Sequence, residues 1–123
     1  MSYLVPVSLG ELVDKITILE IKSEKIFNLV ALAHINDELD ALRRIHISQI
    51  DQKIVDELKA VNLELWDVED ELRQCEREKD FSLSFVGMAR SVYLLNDKRA
   101  SIKKKINITH GSKLVEEKSY SVY

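Results

Sequence analysis

Between Gly10 and Gly111 the chain contains no proline and a single glycine, Gly87. Proline and glycine are the residues that most strongly disfavour helix, so a long span almost without them favours continuous helix. Apolar residues in this span recur three and four positions apart, which is the spacing of one helix face. We therefore predict an all-α fold, an antiparallel bundle of three or four long helices with coiled-coil-like packing.

The first helix has the clearest start. Ser8 and Glu11 fit a capping box, in which the Ser8 hydroxyl accepts a hydrogen bond from the Glu11 amide and the Glu11 carboxylate reaches back. Because Pro6 disfavours helix in the residue before it, we expect residues 1–7 to be an extended lead-in. The apolar stripe changes phase near Asn28, so the first long segment is either one bent helix or two.

Further turn signals divide the rest of the chain. A cap-like segment, residues 48–51, precedes a long helix with heptad spacing, and Asp80 or Ser82 is expected to cap the last helix. Gly111 is the expected residue just past its end. The length of 123 residues fits one helical domain. We expect residues 112–123 to form a tail that contacts the bundle through Leu114, Val115 and Tyr120.

The charge balance does not favour a polyanionic partner. The chain has 18 basic and 21 acidic residues and a net charge of -3. The basic run at residues 98–105 suits the negative end of a helix, so neither nucleic-acid binding nor membrane attachment is predicted. No apolar run approaches the roughly 20 residues of a membrane span. A single cysteine, Cys75, precludes an intramolecular disulfide and indicates a reducing compartment, so we expect a cytoplasmic protein.

The first helix is apolar on two sides, because Ile18 and Ile21 lie opposite Ile16 and Leu19. Such a helix needs packing partners on both sides. The charged residues between these isoleucines either face solvent or lie at a packing interface, where each charge needs a partner. They are Asp14, Lys15, Glu20, Lys22 and Glu24.

Arg99 interrupts the apolar stripe of the last helix, between Leu95 and Ile102. A guanidinium in a helix seam needs a carboxylate, and Glu20 is the expected partner. Three interpretations stay open: a buried ion pair that sets helix register, an anion-binding pocket, or an exposed end of the bundle. The residues assigned to an ion pair or ligand site are Lys15, Glu20, Lys22, Arg90, Asn96 and Arg99.

The other reactive residue types form no recognisable site. His34, His46 and His110 lie far apart in sequence, with no His or Cys at ligand spacing, so we predict neither a metal site nor a cofactor. Cys75 continues an apolar stripe, which favours a core residue over a nucleophile. Trp66 lies beside a stripe position and is predicted to cover a groove or to anchor an interface.

Four segments, near the two ends of the sequence, resemble motifs of a known protein family. They read VPVSLGELVDKITILEIKSE at residues 5–24, ARSVY at 89–93, NDKR at 96–99 and KLVEEKSY at 113–120. In these motifs the chain resembles an uncharacterised family of small bacterial all-helical proteins. The resemblance implies a helical domain and supplies no catalytic residue.

The first helix also resembles that of the all-helical chorismate mutases, because aliphatic residues alternate with cations and acids. The resemblance implies that cationic side chains surround a dicarboxylate substrate. The cations that could do so in this chain are Lys15, Lys22, Arg90 and Arg99. These enzymes would have an arginine where this helix has Val13 and Asp14.

Taken together, the patterns favour protein interaction or small-anion binding over catalysis. Long helices with two apolar faces leave more apolar surface than one thin monomer covers, so we predict a homo-oligomer. A protein partner or a small anionic ligand fits the charged first helix. The alternative is a chorismate-mutase-like enzyme acting on a small carboxylate substrate.

Overall fold

The computed structural model of the protein describes residues 2–45, 47, 49–114, 117–119 and 121. These residues form four helices and no strand, which confirms the all-α prediction. The helices are α1 (Leu9–Lys25), α2 (Leu29–Arg43), α3 (Gln52–Glu78) and α4 (Leu83–Thr109). α1 is central and packs against the other three, α3 and α4 pack along each other, and α2 contacts α1 alone among the described helices.

The start of α1 is half of a capping box. The Ser8 hydroxyl accepts a hydrogen bond from the Glu11 amide at 3.1 Å, as predicted. The prediction that the Glu11 carboxylate reaches back to the start of the helix is wrong. That carboxylate instead accepts a hydrogen bond from the ammonium of Lys103 at 2.6 Å. Lys103 is buried, and a buried cation is stable only when a carboxylate pairs with it.

The predicted bend near Asn28 is a break between two helices. Residues 26–28 separate α1 from α2, and the side-chain oxygen of Asn28 accepts from the amide of Ala31 at 2.9 Å. Asparagine is a favoured N-cap residue, and its side chain satisfies an amide that the first helical turn leaves unpaired. Two helices, rather than one bent helix, therefore occupy this region.

The remaining helix ends follow the predicted signals. Asp51 caps α3 by accepting from the amide of Lys53 at 3.0 Å. Ser82 is the N-cap residue of α4, but its side chain makes no capping hydrogen bond, and its own amide donates to the Asp80 carboxylate at 3.1 Å. Past the end of α4, Gly111 has a φ of 65°, the left-handed conformation expected of a glycine there.

The core lies where α1, α3 and α4 meet. Both Leu19 and Ile21 are buried, at 4% and 2% exposure, so α1 does pack on two sides as its sequence predicts. The predicted stripes of α3 and α4 supply most of the rest. The buried core residues are Val13, Ile54, Leu58, Val61, Leu65, Ile102 and Ile106.

Several predictions concern the ends of the chain and the loop after α2. Residues 2–7 form neither helix nor strand and are exposed. Leu114 is 43% exposed. The contacts predicted for Val115 and Tyr120, and the interpretation of His46, lie outside the described residues. Every helix in the described part of the chain is too short or too polar to cross a bilayer.

Candidate functional site

A cleft of about 480 Å³ opens between α1, α3 and α4. This volume is within the range of small-molecule sites, roughly 300–1,000 Å³. Apolar side chains, an amide and charges of both signs line it. The lining residues are Ile18, Ile21, Lys22, Asn62, Leu65, Trp66, Glu69, Asp70, Arg73 and Arg99.

One face of α3 forms the long wall of this cleft. From Asn62 to Arg73 its lining residues are spaced three and four apart, which places them on one side of the helix. At 1.5 Å per residue this wall is about 16 Å long. α1 supplies the opposite apolar surface with Ile18 and Ile21, and α4 contributes Arg99.

Two cations in the cleft have no counter-ion in the described part of the chain. Lys22 and Arg99 are both partly buried, and neither forms an ion pair there. Arg99 donates one long hydrogen bond, 3.4 Å, to the side-chain oxygen of Asn62. Arg73, by contrast, pairs with Glu69 at 3.5 Å. Unpaired cations beside apolar walls can bind an anion, because little water competes for them there.

The amide of Asn62 is held in one orientation. Its nitrogen donates to the Asp14 carboxylate at 2.8 Å and to the Thr17 hydroxyl at 3.0 Å. Asp14 and Thr17 are both buried. The amide oxygen is therefore left to face Arg99, and it places the guanidinium at this end of the cleft.

Behind Asn62 lies a buried charge cluster that joins α1 to α4. The ammonium of Lys103 is 2.6 Å from the Glu11 carboxylate and 3.8 Å from that of Asp14. The Lys103 and Asp14 side chains are 11% and 6% exposed. Charges this buried are stable only when paired, so the cluster has a clear structural role.

The predicted pair between Glu20 and Arg99 is wrong. Glu20 accepts from the guanidinium of Arg43 at 3.0 Å, and Lys15 pairs with Glu38 at 3.6 Å. Both partners belong to α2, which packs on a different side of α1 from the cleft. Neither Lys15 nor Glu20 lines the cleft.

The two other predicted residues of α4 also lie outside the cleft. Arg90 is exposed and donates to the Tyr93 hydroxyl at 3.4 Å, and this bond raises the pKa of the guanidinium above its ordinary value. Asn96 is partly buried. Of the six predicted residues, the structure thus places Lys22 and Arg99 in the lining of one cleft, and Trp66 lies in its α3 wall.

Asn62 and Lys103 are the residues that the sequence patterns missed. Asn62 follows Leu58 by four positions and precedes Leu65 by three, so it lies within a buried stripe, as Arg99 does. Lys103 precedes Ile106 by three positions, but its place in a lysine run suggested a solvated helix end. A polar residue at stripe spacing was the available signal in both cases.

The described residues contain no group of three or more His, Cys, Asp or Glu that could hold a metal ion. Cys75 is buried. Burial raises the pKa of its thiol, and the charges of Asp80, Glu78 and Glu71 raise this pKa further. A thiol in this environment stays protonated, which makes it a poor nucleophile.

Residues 3–123 match the profile of a family described as "Family of unknown function (DUF6165)". The chain belongs to DUF6165. The match covers every residue that lines the cleft, and it confirms the resemblance to an uncharacterised family. No curated protein and no solved structure matches this DUF6165 chain. The resemblance to the chorismate mutases stays a prediction.

Proposed function

We propose that the protein binds a small organic anion in the cleft between α1, α3 and α4. The observation that carries this proposal is that Lys22 and Arg99 line an apolar cleft without a counter-ion among the described residues. A carboxylate would bind the two cations, while Ile18, Leu65 and Trp66 would contact an apolar body. Apolar walls with a few placed polar groups are typical of small-molecule sites.

Trp66 allows a direct test, because it is the single tryptophan of the chain and lies in the cleft wall. Octanoate, which does not absorb where tryptophan does, is titrated into the protein while the fluorescence is recorded. We expect a saturable change. Arg99→Gln and Lys22→Gln should each weaken binding by about tenfold to a hundredfold, since a charge-assisted hydrogen bond contributes roughly 1.5–3 kcal/mol.

Two neighbouring lysines provide matched controls. Lys98 precedes Arg99 in α4, and Lys25 follows Lys22 by three residues in α1. Both are exposed, and neither forms an ion pair within the described residues. Lys98→Gln and Lys25→Gln should bind octanoate as the wild type does. A titration without saturation at millimolar octanoate, or equal weakening in the controls, would overturn the proposal.

The cleft also keeps the enzymatic alternative open. Cations that stabilise a polarised ether in a transition state need no nucleophile, and Lys22 and Arg99 could act in this way. Of the four cations that the resemblance assigned, Lys15 pairs with Glu38 of α2 and Arg90 lies outside the cleft, which leaves Lys22 and Arg99 for this role. A direct assay of chorismate consumption decides between binding and this reaction, and turnover above background would favour the enzyme.

Self-association is the second part of the proposal. Phe27, Leu29 and Leu83 are 87%, 81% and 88% exposed, more apolar surface than these helices cover within one chain. We expect a homo-oligomer in light scattering at tens of micromolar protein, and a monodisperse monomer would contradict this. A cytoplasmic location remains our proposal, and it rests on the single cysteine.

A further inference from the structure

We infer that the ligand of this cleft is an elongated zwitterion, with a carboxylate at the Arg99 end and an ammonium group at the Asp70 end. This inference rests on the proposed anion site and adds the second charge of the ligand. It follows from where Arg99, which lies beside Asn62, and Asp70 stand along the α3 wall.

Two opposite charges without an ion-pair partner in the described part of the chain, Arg99 and Asp70, lie far apart along the cleft. Arg99 is fixed beside Asn62 by their hydrogen bond, at one end of the α3 wall. Asp70 lies eight residues further along, which is about 12 Å at the helical rise of 1.5 Å per residue. In the described part of the chain the Asp70 side chain forms neither an ion pair nor a hydrogen bond. A bound ammonium group would give it a partner.

The surface between these ends suits a hydrocarbon chain. Ile18, Leu65 and Trp66 supply apolar walls. Glu69, one residue before Asp70, and Arg73, three residues beyond it, pair with each other at 3.5 Å across one helical turn. A second carboxylate on the ligand would meet the negative charge of Asp70, and it would gain Arg73 only by breaking that pair.

Three probes with the same carbon chain test the charge at the far end of the ligand. Octanoate, 8-aminooctanoate and octanedioate differ only at the terminal group, and each spans roughly the 12 Å that α3 sets. Affinities are measured by Trp66 fluorescence and by calorimetry. We expect 8-aminooctanoate to bind about three- to fivefold more tightly than octanoate, as befits a solvent-exposed ion pair, and octanedioate to bind most weakly.

Variants of α3 assign the preference to one carboxylate. Asp70→Asn should abolish the advantage of 8-aminooctanoate over octanoate and leave the affinity for octanoate unchanged. Asp67→Asn is the matched control, because Asp67 is exposed on the same helix and lies outside the cleft lining. This variant should keep the wild-type preference.

The outcomes separate this inference from the anion site itself. Suppose that octanoate binding needs Arg99, but 8-aminooctanoate binds with equal affinity or octanedioate binds more tightly. The inference of a zwitterionic ligand would then be wrong, and the proposed anion site would still hold. A preference that survives Asp70→Asn would also overturn it. Failure of all three probes to bind would overturn the anion site as well.

Discussion

At the scale of single residues, Gly10 sets how closely α1 approaches α4. Its amide donates to the side-chain oxygen of Asn107 at 2.6 Å. A Cβ atom at this position would lie 2.5 Å from the carbonyl oxygen of Lys103, closer than such atoms approach. The glycine is therefore required for close packing. The same approach brings Lys103 within reach of Glu11, and so supports the buried charge cluster behind the cleft.

Gly10→Ala should lower the free energy of unfolding by about 1–3 kcal/mol, the usual cost of overpacking. Gly87 is the matched control, because it lies within α4 and nothing is within 4 Å of a Cβ built there. Gly87→Ala should raise stability by about 0.5–1 kcal/mol through helix propensity. Urea denaturation of both variants measures the difference. Equal stabilisation by the two alanines would show that the contact with Lys103 relaxes freely.

Single residues also show how much of the site the sequence could predict. Arg99 could be found because a charge in an apolar stripe is visible in sequence. The partner of Arg99 could not be found, because the side chain that lies opposite it depends on how the helices cross. That side chain is Asn62 and not Glu20. Asn62 carried the same stripe signal, but an uncharged amide is a weaker anomaly than a guanidinium.

At the scale of helices, the ends were predicted better than the contacts. Capping by the side chains of Ser8 and Asp51 depends on residues within three positions, which sequence displays directly. The mutual arrangement of α1, α3 and α4, which creates the cleft, depends on packing between residues far apart in sequence. The periodicity of apolar residues indicates that one face of a helix is buried, but it does not indicate which other helix covers that face.

The turn between α3 and α4 gives a prediction about pH. Hydrogen bonds from Ser82, its side chain first and then its backbone amide, hold the pKa of Asp80 below the ordinary value. A carboxyl group with a lowered folded pKa stabilises the protein above its unfolded pKa, and this contribution is lost as the pH falls through the folded pKa. Asp80→Ala should therefore destabilise the protein near neutral pH and lose this effect in strong acid.

Urea denaturation of Asp80→Ala and the wild type at neutral pH and at about pH 2.5 measures this change. Asp67→Ala is the control, because Asp67 is exposed on α3 and its side chain forms no hydrogen bond within the described residues. Its difference from the wild type should not follow the same pH course. A stability deficit of Asp80→Ala that is equal at both pH values would contradict the role of the ionised carboxylate.

At the scale of the whole molecule, three helices form the core and the fourth, α2, packs on its outside. α1, α3 and α4 share one buried cluster and enclose the cleft, whereas α2 packs on α1 and contributes a single buried residue, Leu39. Segments with few buried apolar contacts open locally at lower free energy than the core does. We therefore expect α2 to separate from α1 while the cleft stays intact.

Hydrogen exchange of backbone amides tests this division. In the wild type, amides of α2 should exchange faster than those of residues 54–65 in α3. Leu39 is 4% exposed, and Leu39→Ala should speed exchange in α2 further while the α3 core keeps its protection. Leu58 is fully buried, and Leu58→Ala should cost about 2–5 kcal/mol and speed exchange in α1, α3 and α4 together. If Leu39→Ala instead raised exchange throughout the molecule, α2 would belong to the same cooperative unit as the cleft, and ligand affinity would then depend on it.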